Sequence, residues 1–161
     1  MPDAPILSPA QRSFVERARR ATLATIAPTG RPRLVPVCFA FVADGGGEVG
    51  RIYSPLDEKP KASDDPRELA RVRDILVRPE ATLLIDRWSE DWAELGWLRL
   101  DCVAELIEPD GPDAAEHAAA VDALRERYRQ YAGHRLEGRP VIRLTVERAT
   151  TWGNLAGAAA G

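Results

Sequence analysis

Pro28-Thr29-Gly30 stands between two strand-like runs, ATLATIA (Ala21–Ala27) and RPRLVPVCFAFVA (Arg31–Ala43). This juxtaposition constrains the fold more than any other feature of the chain. So short a turn cannot carry a crossover helix, so the two runs must pair antiparallel, as a hairpin. Pro36 removes a ladder donor from the second run and predicts an edge or a bulge there. Similar connections recur. Gly45-Gly46-Gly47 turns the chain into a third strand over Glu48–Ser54. ATLLID (Ala81–Asp86) precedes GWLRLDCVAELIE (Gly96–Glu108), which begins in clean alternation, and PVIRLTVERATTW (Pro140–Trp152) reads as the last strand.

Three helices complete the reading. Ser8-Pro9-Ala10-Gln11 carries a cap, a first-turn proline and a capping-box glutamine, and predicts a helix that fades near Arg20. Asp65-Pro66-Arg67-Glu68 repeats that logic before Leu69, Val72, Ile75 and Leu76, with Pro79 as the stop. Gly111 and Pro112 open a third helix with Val121, Leu124, Tyr128 and Tyr131 on one face and Gly133 as its cap. About six short antiparallel strands with few helices predict a mainly β, α+β fold: a six-stranded antiparallel split β-barrel with flanking helices. The whole chain, 1–161, is expected to be one domain, with an N-terminal helix within 1–20 and a tail over 154–161.

A net charge of −3 argues against a general nucleic-acid binder. No apolar run approaches the length of a membrane span, and no secretory signal is evident, so a cytoplasmic protein is expected. Cys38 and Cys102 both fall in apolar runs and read as unbridged thiols in a reducing compartment. No cluster has metal-ligand spacing, no nucleophile elbow occurs, and His117 and His134 read as solvated or capping residues beside the third helix. An enzyme built this way would leave the hard chemistry to a cofactor. YSPLDEKPK (Tyr53–Lys61) offers a hydroxyl, Ser54, with Lys59 and Lys61 close behind, a workable phosphate cradle. RWSEDWAELGWLRLD (Arg87–Asp101) holds Trp88, Trp92 and Trp97 in polar company, which calls for a partner surface.

Four stretches taken in order resemble the pyridoxamine 5'-phosphate oxidase-like split β-barrel superfamily: TLATIAPTGRPRLVPVCFAF, IYSPLDEKPK, RPEATLLIDRWSEDWAELGWLRLDCVAEL and RLTVERATTWGN. LDEKPK, LARVRDI and DRWSEDW are similar to the branch described as dependent on the deazaflavin coenzyme F420. The resemblance implies an FMN-binding-like barrel and a homodimer with two cofactor sites along the subunit interface. It implies hydride transfer between coenzyme F420 and a small organic substrate, with FMN as the alternative cofactor and a non-catalytic cofactor-binding dimer as the alternative role. By the same resemblance Arg33, Ser54 and Lys61 hold the cofactor phosphate, with Lys59 an added cation. The backbone of Val35, Pro36 and Val37 runs beside the ring system. Trp97 faces inward beside the cofactor where flavin oxidases have a glutamine, Arg99 follows it, and Trp152 reaches the cofactor from the partner subunit. No residue stands out in the sequence as catalytic; Tyr53 and solvent are the alternatives for a proton donor. The C-terminal Arg-Leu-His-Asp-Arg-type motif of the vitamin B6 oxidases is not matched by WGNLAGAAAG, so pyridoxamine phosphate oxidation itself is not expected.

Overall fold

The opening hairpin forms as its sequence predicts: β1 (Ala21–Ile26) pairs antiparallel with β2 (Pro32–Val37), with Ala21 opposite Val37 and Ile26 opposite Pro32. The computed structural model describes residues 6–43, 50–57 and 64–157. Pro36 lies on an edge strand, as expected, because β2 ends the sheet and, among the described residues, pairs only with β1.

The run to Ala43 is not one strand but two, so the sheet has seven strands rather than six. β3 (Ala40–Ala43) leaves β1 and pairs with β4 (Gly50–Pro55). β5 (Glu80–Arg87), β6 (Gly96–Ile107) and β7 (Val141–Gly153) complete the order β2-β1-β5-β6-β7-β4-β3. β2 and β3 are thus the two outer strands, yet only Cys38 and Phe39 separate them in the chain. Three peptide steps reach about 11 Å at most, so the sheet must curl until its edges approach, and no pairing among the described residues closes it. The break has a chemical cause. Phe39 N–H donates to the Tyr128 hydroxyl at 3.0 Å, and that hydroxyl lies 2.8 Å from the Phe39 carbonyl. The side chain stands in for the strand neighbour that Phe39 lacks.

The helices close the barrel ends. α1 (Pro9–Arg17) starts on the expected capping box: Gln11 N–H donates to Ser8 Oγ at 3.2 Å, and Ser8 N–H donates to Gln11 Oε1 at 2.8 Å. Asp65 caps only a short 3-10 turn, Pro66–Glu68, because Leu69 is extended; α2 begins after it, Ala70–Val77. α3 (Ala114–Arg127) ends four residues before Tyr131, and further 3-10 turns carry the chain to β7. Inside the barrel Leu23, Leu83, Leu98, Leu100, Ile142 and Leu144 are fully buried, with Phe14 and Val15 of α1 and Val72 of α2 sealing the ends. Each such side chain is worth about 1.5–3 kcal/mol of burial. A second apolar cluster under α3 joins Val121, Leu124, Tyr128 and Tyr131 to Ile107 and Val141. Among the described residues, no helix is long and apolar enough to cross a membrane.

His117 corrects the sequence reading. It is buried on α3, with Nε2 2.7 Å from the Arg139 carbonyl, because the alanine-rich helix packs its imidazole against the chain entering β7. Cys38 and Cys102 are free thiols, Cys102 buried in the barrel and Cys38 half-buried at the β2–β3 joint.

Candidate functional site

Alternation along the strands sorts the expected site residues onto two faces. In β2, Arg33, Val35 and Val37 stand opposite Thr25, Leu23 and Ala21, all of which are buried, so these three share the barrel-facing side. Ser54 of β4 lies opposite fully buried Ile142 and belongs to that side too. Pro36 stands opposite Thr22, which is followed across the sheet by Leu84, Arg99 and Thr150; this row lies on the outer face. Three strand spacings put Pro36 about 14 Å from Arg99.

Trp97 also lies on the outer face, which corrects its expected inward aim. Gly96, Leu98, Leu100, Cys102 and Ala104 are buried in alternation along β6, leaving Trp97 and Arg99 on the other face. Asp86 and Trp152 flank Trp97 as its cross-strand partners, and Trp152 is 53% exposed. The Arg99 guanidinium stacks 5.9 Å from the Trp97 ring centroid, and its Nε lies 3.8 Å from Asp101. Trp88 and Trp92, at 67% and 82% exposure, sit on the β5–β6 connection beside this face. The connection is built to hold its shape. Asp91 caps the 3-10 turn Trp92–Glu94, and buried Arg87 donates to the carbonyls of Glu94 at 2.6 Å and Asn154 at 2.8 Å. Residues 154–157, expected to trail as a tail, are docked instead: Arg17 donates to the carbonyls of Leu155 and Gly157.

The barrel-facing group centres on Arg33. Its Nε donates to Asp74 Oδ2 at 2.7 Å, and the Thr25 hydroxyl donates to the same oxygen at 2.8 Å. Asp74 is buried on α2. Burial pulls its pKa upward, but the hydrogen bonds from Arg33 and Thr25 outweigh that and hold the carboxyl below its ordinary value. The Arg33 side chain is 41% exposed, and its two terminal nitrogens have no partner among the described residues. Ser54 is fully buried and donates to the Cys38 carbonyl at 3.1 Å, so its hydroxyl is engaged within the chain. Lys59 and Lys61 lie outside the described residues. The residues flanking them are anchored: buried Asp57 accepts from the Tyr131 hydroxyl at 2.9 Å, and Arg67 forks onto Glu108 at 2.9 and 2.6 Å. Arg71 of α2 has a buried Nε without a hydrogen-bond partner among the described residues, and burial lowers its pKa against the pull of Asp57.

Tyr53 is committed elsewhere. It is buried and donates to Glu116 Oε1 at 2.5 Å; burial first, then that hydrogen bond, pushes its pKa up. A cleft of 380 Å³ opens on the outer face, lined by Ala24, Thr82, Asp101 and Glu147 among others. Glu147 is the extra residue where the β6–β7 register shifts at Asp101 and Cys102. Its acidic lining suits no phosphate. Sequence reasoning missed Asp74 and Arg71. Their spacing on LARVRDI puts both beside the apolar face of α2, but nothing in that stretch names their partners.

The profile of the pyridoxamine 5'-phosphate oxidase family matches residues 7–153. The chain belongs to that family. A conserved hypothetical protein of Mycobacterium tuberculosis shares the fold of this family member with a TM-score of 0.66 at 20% identity, over 94% of this chain and 88% of that one. An FAD-binding protein of Mesorhizobium loti does so with a TM-score of 0.57 at 19% identity, over 90% and 92% of the two chains. A heme storage protein of Vibrio cholerae gives 0.59 at 18% identity, over 91% and 94%. At these identities the likeness is one of fold. No match was found among curated proteins.

Proposed function

We propose that this family member is a homodimeric oxidoreductase that uses a phosphate-bearing flavin-type cofactor, coenzyme F420 in the first reading and FMN in the second, on a small organic substrate. One observation carries the reading: the cationic group at Arg33 and the aromatic group of Trp97, Arg99 and Trp152 lie on opposite faces of one protomer. A single chain therefore cannot close both groups around one ligand, and a second copy can. The exposed Trp88 and Trp92 on their braced connection are the kind of anchor such an interface uses.

The residues present suit the group. Arg33 offers a phosphate two guanidinium nitrogens that have no partner among the described residues, the geometry in which arginine binds it best. β2 is an edge strand, so backbone groups on its free side are available to a ring. When bound, either cofactor supplies hydride transfer at its tricyclic ring. The chain orients that ring, excludes water around it and holds the phosphate with Arg33 and, by the family resemblance, Lys61, with Lys59 adding a further cation. Tyr53 is occupied by Glu116, so a proton required by the reaction comes from solvent. Trp97 favours the deazaflavin, since it gives aromatic surface where an amide would read a flavin ring. A heme reading fits less well: His117 is locked on a backbone carbonyl, and the His134 ring packs edge-on against Tyr131 with centroids 5.4 Å apart.

Light scattering together with a titration of FMN against the deazaflavin, read by tryptophan fluorescence, tests the proposal. A dimer that binds the deazaflavin more tightly and turns over with its reduced form is the expected result. A dimer that binds either cofactor without turnover moves the assignment to a binding protein. A monomer that binds neither overturns it.

A further inference from the structure

We infer that Asp74 is a positioning residue for the phosphate-binding arginine, holding the Arg33 guanidinium by its inner edge so that its outer edge faces the ligand. The inference rests on the cofactor reading above. Asp74 is 2% exposed, yet it carries a charge on a helix that seals the barrel. A buried carboxylate needs compensation, and it has two donors, Thr25 from β1 and Arg33 from β2, both on Oδ2. Thr25 is itself buried, at 1%, and fixes the carboxylate from the sheet side.

The geometry decides what this does to Arg33. A guanidinium has five N–H donors in one plane. Asp74 takes the Nε donor alone, at 2.7 Å, and leaves both terminal nitrogens without a partner among the described residues. A carboxylate meant to neutralise arginine outright would take the fork side-on with two bonds, as Glu108 does with Arg67. Here the single Nε contact fixes the orientation of the plane. An exposed arginine otherwise loses side-chain freedom when it binds an anion, so ordering it beforehand strengthens that binding. The negative charge of Asp74 works in the opposite direction, because it offsets part of the attraction between Arg33 and a phosphate. The two effects predict opposite signs for removal of the charge, which makes the inference decidable.

The test compares FMN with riboflavin, which has the same ring and no phosphate, in the full-length protein and in Asp74→Asn, Arg33→Ala and the double variant. Tryptophan fluorescence gives the affinities, and thermal melting checks that each variant folds. Asparagine keeps the size of Asp74 and one acceptor oxygen, so the fold is retained. Asp74→Asn is expected to weaken FMN binding roughly threefold to tenfold, the worth of one hydrogen bond, and to leave riboflavin unchanged. In the Arg33→Ala background the same substitution should have no effect on FMN, since the two residues act as a unit. Tighter FMN binding by Asp74→Asn would show that Asp74 only competes for Arg33 and would overturn the inference. So would an equal loss with and without Arg33, which would mean a general structural role. If Arg33→Ala itself leaves the preference for FMN over riboflavin intact, the phosphate assignment falls and takes this inference with it.

Discussion

Two arginine-rich regions of the molecule look alike in sequence and differ in what they leave unpaired. On the β4–β7–α3 side, Arg51 and Arg143 converge on Glu116. Oε1 accepts from Arg51 and from Tyr53 at 2.7 and 2.5 Å, and Oε2 accepts from Arg143 at 2.7 Å. Arg143 also donates to Glu105 at 2.9 Å and lies 3.4 Å from Asp113. Arg143 uses all three of its nitrogens here, Arg51 gives one N–H to Glu116, and these bonds lock α3 to the sheet. On the β1–β2–β6 side, Arg33 is held at one nitrogen and Arg99 rests on Trp97 with a long contact to Asp101. Around Glu116 three side chains share one carboxylate; the second region is the one the proposed cofactor site draws on.

The largest expected effect breaks the Glu116 side. Glu116→Ala strands the buried Tyr53 hydroxyl and the mostly buried Arg143, and should lower stability by about 2–3 kcal/mol. Urea denaturation measures it, and cofactor affinity should not change. If affinity falls with stability, the two regions are not separate and the contrast fails.

Lys61→Ala addresses the proposed phosphate contact and should weaken binding of FMN or the deazaflavin by roughly tenfold to a hundredfold, with folding little changed. Unchanged titrations with both cofactors would remove Lys61 from the site. A larger effect of Lys59→Ala on the deazaflavin than on FMN would favour the first cofactor reading, because the deazaflavin's acidic tail offers Lys59 more to hold.

The joint between the two regions is the broken strand, and Tyr128→Phe tests it. Loss of the hydroxyl leaves the Phe39 N–H without its partner and should cost about 1–2 kcal/mol in the same denaturation experiment. No change would mean that packing alone sets the break.

The fold was legible in the sequence wherever the cause was local. The Ser8–Gln11 capping box, the turn at Pro28–Gly30 and the edge strand at Pro36 each follow from a few adjacent residues. The seventh strand was not legible, because β2 and β3 are parted by a tyrosine 89 positions away. The grouping of the candidate site residues was legible only in part. Alternation in GWLRLD already groups Trp97 with Arg99, but the face they occupy depends on which neighbours the barrel buries. Asp74 reads as a surface charge on an amphipathic helix, since the arginine and threonine that bury it lie 41 and 49 positions earlier. The burial of His117 was hidden by an alanine-rich helix with little apolar contrast around it.

The smallest effect sharpens the comparison through pH, because each region keeps one carboxyl below its ordinary value. For Glu116, burial works upward, and the bonds from Tyr53 and Arg51 prevail; for Asp74, burial is likewise outweighed by Arg33 and Thr25. A carboxyl depressed in the folded state contributes stability that is complete above its unfolded value and is lost as pH falls through the folded one. The ordinary values are 4.5 for Glu116 and 3.8 for Asp74, so the loss begins below pH 4.5 for the first and below pH 3.8 for the second. Glu116→Gln and Asp74→Asn should each flatten the acid limb of a plot of melting temperature against pH, starting in that order. Because the two carboxyls share no partner, the double variant should show the sum of the two changes. A strongly non-additive double variant would show that the scaffold and ligand-facing charges are coupled through the barrel, and the division between the two regions would have to be redrawn.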